Sequence, residues 1–198
     1  MSKLDFLCPD LANPDPERGF EPLARSAMHE RLSESGGKFE AQAGWLVLSA
    51  LSAHSPADPS VADVSHHAKI EVRGPAPQAA NDREIVGIGP DRWLVLCSPD
   101  VAGSVRASLE EPGRIVIDQT GALAGLKIEG PEARTLMRRL TDLELDRLPA
   151  VGAVAKVPAT VLRDGAESFR IFVPQQSADY VCEVVLDAAA VLGGGPAE

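Results

Sequence analysis

Hydrophobic and polar positions alternate in short runs along this chain, the period of half-buried β-strands, and one such run occurs twice. The first copy is Asp63-Val-Ser65-His-His-Ala-Lys69-Ile70-Glu71-Val72-Arg73-Gly74-Pro75. The second is Asp118-Gln-Thr120-Gly-Ala-Leu-Ala-Gly-Leu126-Lys-Ile128-Glu-Gly130-Pro131. Each opens with an acid, places a hydroxyl residue two positions on, runs through an alternating strand and stops at Gly-Pro. Ile70 and Val72 face one side of the first strand, Lys69, Glu71 and Arg73 the other. Two copies of one strand unit predict a pseudo-duplicated fold. The copies differ in length: Asp63 to Gly74 spans 11 positions, Asp118 to Gly130 spans 12. An extra strand residue reverses the facing unless a bulge absorbs it, so a bulge or glycine kink is expected near Gly121–Gly125. A straight strand there with the facing of the first copy would mark the repeat as coincidence.

Other periods fill in the remaining elements. Leu23, Ala27, Met28 and Leu32 predict a helix from Pro22 to about Glu34, ended by Gly36-Gly37. Trp45–Leu51 reads as a strand, and residues 52–60 and 74–83 as loops. Ile85 to Leu96 holds two short strands around Gly89-Pro90-Asp91. Ser98-Pro99-Asp100 starts a helix, with the serine as its cap, that runs to about Glu111 with Val101, Val105 and Leu109 on one face. Arg114–Asp118 is a strand feeding the second repeat. Ala133, Leu136, Met137 and Leu140 fall at helical spacing after Pro131. Residues 141–156 form a turn-rich crossing. Lys156–Leu162 and Ser168–Val173 make a hairpin whose Asp164-Gly165 suits a type I′ turn. Ser177 caps a last helix that carries an acidic stripe at Asp179, Glu183 and Asp187.

The sum is an α+β fold of antiparallel sheets and packed helices. Its expected organisation is an extended arm over residues 1–20, one domain over 21–192 with halves of about 21–112 and 113–192, and a disordered tail over 193–198.

Composition narrows the function classes. At 198 residues the chain buries roughly 70% of its unfolded surface. The net charge of −10, from 19 basic and 29 acidic residues, disfavours nucleic acid as the primary partner. The apolar stretches Trp45–Leu51 and Val181–Leu192 are too short or too broken to span a bilayer, and no signal-peptide pattern opens the sequence. Cys8, Cys97 and Cys182 are odd in number and far apart. Cys97 and Cys182 sit in apolar runs as small buried hydrophobes, which fits a reducing cytoplasm.

Candidate chemistry is sparse. His66 and His67, as strand neighbours, would point to opposite faces and could not chelate one ion together. Gly87-Ile-Gly89 lacks the third glycine and the following helix of a dinucleotide loop, so it reads as a tight turn. Asp63/Ser65 and Asp118/Thr120 could orient a nucleophile, and a hydrolase would use Asp118/Thr120. The favoured reading is a turn device at a strand entrance, because such a device is expected twice and an active site once. Arg134, Arg138 and Arg139 could grip a carboxylate or phosphate, but the favoured reading is a solvated helix face, with an interface as the next alternative. No catalytic, cofactor-binding or metal-binding residue is assigned.

The first copy resembles the signature strand of the aminomethyltransferase T-protein family of the glycine cleavage system. The ordered set Phe20-Glu-Pro-Leu-Ala24, Gly89-Pro-Asp-Arg-Trp-Leu-Val-Leu96, a helix, Ile117-Asp-Gln-Thr-Gly-Ala-Leu-Ala124 and Ile128-Glu-Gly-Pro-Glu-Ala-Arg134 is similar to the gamma subunit of heterotetrameric sarcosine oxidase. The resemblance runs from about Phe20 to Leu192. It implies the aminomethyltransferase folate-binding fold, here shortened. It also implies a non-catalytic subunit whose alpha, beta and delta partners demethylate sarcosine oxidatively to glycine, with hydrogen peroxide and formaldehyde or methylene-tetrahydrofolate. FAD, FMN, NAD, zinc and tetrahydrofolate would belong to those partners and none to this chain; the main contact would be with alpha. The alternative is a free-standing folate-binding, one-carbon protein.

Overall fold

The computed structural model describes residues 23–51 and 59–192. The arm, the tail, Cys8 and most of the 52–60 loop lie outside the described residues. Each repeat copy crosses from one sheet to another. In the first, β3 (Ser60–Asp63) turns into β4 (Ala68–Arg73); in the second, β7 (Ile115–Asp118) turns into β8 (Leu123–Glu129). β3 pairs antiparallel with β8, and β7 pairs antiparallel with β4. The two units are therefore exchanged between the sheets.

A hairpin extends each sheet. β5 (Glu84–Gly89) and β6 (Arg92–Cys97) give the order β5-β6-β4-β7. β10 (Val157–Gly165) and β11 (Ser168–Pro174), with β9 (Ala150–Val154) outside them, give β3-β8-β11-β10-β9. A helix follows each hairpin: α2 (Ala102–Leu109) after β6 and α4 (Ala178–Leu192) after β11. The order strand, strand, hairpin, helix thus runs twice, with α3 (Ala133–Leu140) and β9 inserted in the second run. Ahead of both lie α1 (His29–Glu34) and a small hairpin of β1 (Lys38–Gln42) and β2 (Trp45–Ala50).

Alternation sorts the side chains into three cores. Ile70, Val72, Val95 and Cys97 pack against Val105 and Leu109 of α2. Leu126, Ile128, Val161, Phe169 and Ile171 pack against α1, α3 and α4. Between the sheets lie Val64, Val86, Leu94, Leu96, Leu162 and Phe172. The layers run helix, sheet, sheet, helices. Arg31 of α1 pairs with Asp179 at 3.1 Å and Glu183 at 3.4 Å, which gives two members of the acidic stripe a partner. Among the described residues no helix is long and apolar enough to cross a membrane.

Several expectations need correction. α1 starts at His29, because the Ala24 backbone instead bridges the chain at Gly44 and Leu46. β1, β3 and β9 are strands that the pattern did not predict. Ser98 makes no side-chain cap bond; the chain enters α2 through a 3-10 turn, Pro99–Val101. In the β10–β11 hairpin Gly165 opposes Ser168, so the chain reverses at Ala166-Glu167 and neither Asp164 nor Gly165 has positive φ. The Asp164 carboxylate holds Arg170 instead.

The expected bulge is absent. β8 pairs with β11 from Leu123 to Glu129 without a register shift. Its facing matches the first copy when counted back from Gly-Pro: Leu126 and Ile128, like Ile70 and Val72, point into a helix-facing core. The extra residue is taken up before Gly125, in the turn through Gly121-Ala122. This straight strand with matching facing is the arrangement expected of a coincidental repeat; that criterion fails because the turn, not the strand, takes up the extra residue, and the two turns make equivalent hydrogen bonds.

Candidate functional site

The two crossings meet at the centre of the molecule, where they build a buried polar node. Asp63 and Asp118 end β3 and β7. Each accepts from the amide two residues on: Ser65 N–H to Asp63 Oδ1 at 2.8 Å, and Thr120 N–H to Asp118 Oδ1 at 2.9 Å. These are the turn devices expected from the repeat. In both copies the carboxylate bonds the amide of the hydroxyl residue, which is not how a nucleophile is activated. The hydroxyls serve the opposite copy. Ser65 Oγ accepts from Gly125 N–H at 3.0 Å, and Thr120 Oγ1 accepts from Lys69 N–H at 3.1 Å. The backbone repeats the exchange, with Val64 N–H to the Gly125 carbonyl and Gln119 N–H to the Lys69 carbonyl, both at 2.8 Å.

Lys69 is fully buried in this node. Its Nζ donates to the carbonyls of Ser65 at 2.6 Å and His67 at 2.8 Å. Burial pushes its pKa down to about 8, against the pull of Asp63 and Asp118. Position 125, the counterpart of Lys69, is glycine; a Cβ there would lie 2.9 Å from Phe172 Cε1. The counterpart of the His67 carbonyl, that of Ala122, accepts from Gln175 N–H instead, at 2.8 Å. One copy thus uses an ammonium where the other uses the main chain.

The remaining oxygen of Asp63 accepts a short hydrogen bond from the Ser26 hydroxyl. Both side chains are buried, and 37 residues separate them, so no local pattern announces the pair. His66 and His67 sit in the turn and not on the strand, with ring centroids 4.4 Å apart. The expectation of opposite faces is therefore wrong. Burial, then repulsion from His66, Lys69 and Arg170, pushes His67 down to about 4. Burial also lowers His66. Among the described residues no group of three or more His, Cys, Asp or Glu could hold a metal ion. Cys97 and Cys182 are buried free thiols, and burial raises Cys182 to about 12.

The other polar groups are similarly committed. Glu71, nearly buried, accepts from Arg73, Arg92 and Gln119. Despite burial, the two guanidiniums hold its carboxyl below its usual range. Arg170 ties the sheets together through Glu84 and Asp164. Arg134 bonds Asp146 at 2.6 Å, whereas Arg138 and Arg139 are exposed, so the three arginines form no common grip. A cavity of about 150 Å³ beside α2 is lined by Gln78, Arg83, Ser108, Glu111 and Arg114. Its arginines already bond Asp82, Ser108, Glu111 and main-chain carbonyls. The node joins two sheets: Lys69, Asp63 and Asp118 make the hydrogen bonds described above with main-chain groups and, for Asp63, with the Ser26 hydroxyl.

This duplicated, exchanged arrangement of two antiparallel sheets is an aminomethyltransferase-like fold. Aminomethyltransferase T of the glycine cleavage system from Bartonella henselae superposes with a TM-score of 0.66 and 19% identity over 83% of this chain and 57% of that one. A chain of a heterotetrameric sarcosine oxidase from Corynebacterium sp. U-96 superposes with a TM-score of 0.62 and 16% identity, over 88% of this chain and 98% of that one. In sequence, an aminomethyltransferase from Streptomyces avermitilis is 27% identical over 172 residues, 66% of this chain. The match spans 46% of that enzyme, so this chain corresponds to under half of the curated relative. No protein-family model matches.

Proposed function

We propose that the chain is the small, non-catalytic gamma-type subunit of a heterotetrameric, flavin-dependent sarcosine oxidase. The observation that carries this reading is the extent of the match. The sarcosine oxidase chain is covered over 98% of its length, whereas aminomethyltransferase T is covered over 57%. The correspondence is therefore with a whole chain of similar size in one case and with part of a larger enzyme in the other. The state of the polar groups supports it. Asp63, Ser65, Thr120 and Lys69 spend their hydrogen bonds on the crossing of the two copies. The chain then braces an alpha subunit within an alpha, beta, gamma and delta assembly in the cytoplasm. FAD, FMN, NAD, zinc and tetrahydrofolate sit in the other chains. The test is co-expression with the large flavin- and NAD-binding chains of such an oxidase. The chain is expected to co-purify with them, and its omission to lower the yield or the activity of the oxidase. A fully active oxidase formed without it would overturn the assignment.

The sequence similarity to an aminomethyltransferase favours a second reading, a free-standing folate-binding protein of one-carbon metabolism. Calorimetry with tetrahydrofolate on the isolated chain separates the two. Micromolar binding supports the second reading.

A further inference from the structure

The inner face of the four-stranded sheet carries two rows that end in solvent. Cross-strand partners share a face, so Leu94, Glu71 and Ile117 form one row and Arg92, Arg73 and Ile115 the next. Leu94 belongs to the core between the sheets. One row further out that cover is gone: Ile115 is 61% exposed, and the Arg73 and Arg92 side chains are 49% exposed. Glu71 holds the two guanidiniums side by side through one oxygen, Oε1. This Arg–Glu–Arg group carries a net positive charge on a chain of net charge −10.

The same rows end on β7, which among the described residues is an edge strand with β4 as its ladder partner. Gln119 N–H bonds the Lys69 carbonyl, which sets the phase of the ladder. The alternation then turns the main-chain N–H and C=O of Val116 away from β4, toward the open edge. The edge reads Ile115-Val116-Ile117, three β-branched apolar residues without the lysine, proline or bulge that usually blunts such a strand. An open main-chain edge, an apolar row and a braced pair of arginines thus coincide on one rim.

We propose that this rim docks an extended segment of a larger partner chain, which pairs with β7 as an added strand. The segment sets apolar side chains on Ile115 and Ile117 and a carboxylate on the Arg73–Arg92 pair. Charge selects this occupant. A second copy pairing β7 with β7 would place two identical cationic groups on one continuous sheet face. The inference rests on the subunit role proposed above and gives it a surface.

The experiment uses the full chain co-expressed with the large oxidase chains, followed by affinity and amide-exchange measurements. Ile115→Lys charges the open edge, Arg92→Gln removes half of the cationic pair, and Val151→Lys charges the edge strand β9 as a control. The expected result is slowed exchange of the Val116 amide in the complex. Ile115→Lys and Arg92→Gln each weaken association at least tenfold, Val151→Lys leaves it unchanged, and Ile115→Lys keeps the melting temperature of the isolated chain. If the complex forms, the Val116 amide exchanges as in the free chain and both variants bind like wild type, the docking surface is wrong and the subunit role stands. If the wild-type chain joins no partner, both are wrong. If the isolated chain dimerises and Ile115→Lys abolishes the dimer, the occupant is a second copy and the inference is overturned.

Discussion

Ser65 and Thr120 hold equivalent places in the two repeat copies, and each hydroxyl caps the strand of the other copy. Ser65 accepts from Gly125 N–H, and Thr120 from Lys69 N–H. The exchange locks the crossing, because neither strand entrance can move without uncovering an amide in the opposite sheet. Ser65→Ala leaves the Gly125 amide unpaired at a site 1% exposed, which costs about 1–3 kcal/mol. Thr120 is only half-buried, so water can serve the Lys69 amide in Thr120→Ala, at about 1 kcal/mol or less. Urea unfolding should rank the two in that order, and Thr120→Ser should recover most of the wild-type midpoint. Equal losses would deny the difference in burial.

Lys69 predicts a rise of stability in alkali. Its folded pKa is about 8 and its ordinary value 10.5. Between these values the unfolded chain binds a proton that the folded chain has released, so stability grows with pH across that window. The full gain is about 3 kcal/mol, an order-of-magnitude figure. Below pH 8 both states are charged and the slope vanishes. Lys69→Met lacks the slope but leaves the carbonyls of Ser65 and His67 without their donor. The variant is therefore less stable throughout, and its deficit widens from pH 8 to 10. Unfolding midpoints of both proteins over that range check it, and parallel curves would sink it.

The parts of this fold legible in sequence are those fixed within a few residues. The stripe Ala133, Leu136, Met137 and Leu140 is buried as its spacing requires, and the two aspartate turns form where acid and hydroxyl stand two apart. Asp91, in the turn between β5 and β6, has φ of 50°, as a tight reversal demands. What escaped depends on distant partners. β1 reads Lys-Phe-Glu-Ala-Gln, with little apolar alternation, and is a strand because β2 pairs with it. Asp164-Gly165 has the composition of a type I′ turn, but Arg170 claims the aspartate and the turn moves two residues on. The Ser26–Asp63 pair and the exchange of β3 and β7 between sheets are tertiary facts with no local signature. The central node was legible as two turns and not as one buried lysine shared between them.

His67 predicts acid sensitivity. Its folded pKa lies near 4, below the ordinary 6.5. From pH 6.5 down to 4 the unfolded state takes up a proton that the folded state refuses, so stability falls as the pH falls. Burial is the chief cause, and repulsion from His66, when it is protonated, and from Lys69 and Arg170 adds to it. His67→Gln keeps a polar side chain and removes the titration. Its stability should fall less steeply over the same window. Proton NMR gives a second measure: the His67 ring resonances should titrate near pH 4, and titration near 6.5 would contradict the buried geometry.

Gly125 supplies the sharpest test of the fit between the two sheets. It stands where the other copy has Lys69, and the space a side chain would need is filled by Phe172 and Val64. An added Cβ would meet Phe172 Cε1 at 2.9 Å and Val64 Cγ2 at 3.0 Å. Phe172 is 1% exposed and Val64 7%, so neither ring nor methyl can swing into solvent without opening the core between the sheets. Gly125→Ala should therefore destabilise by about 1–3 kcal/mol, the usual range for overpacking. Gly121 lies four residues earlier in the turn that absorbs the extra repeat residue, where a Cβ meets nothing within 4 Å. Gly121→Ala should be neutral or slightly stabilising, because it restricts the unfolded chain without a clash. Val64→Ala in the Gly125→Ala background should restore part of the loss by vacating one of the two contacts, although alone it costs stability by leaving a cavity. A double-mutant cycle that shows no coupling between positions 64 and 125 would mean that the first turn does not pack on β8 through this contact.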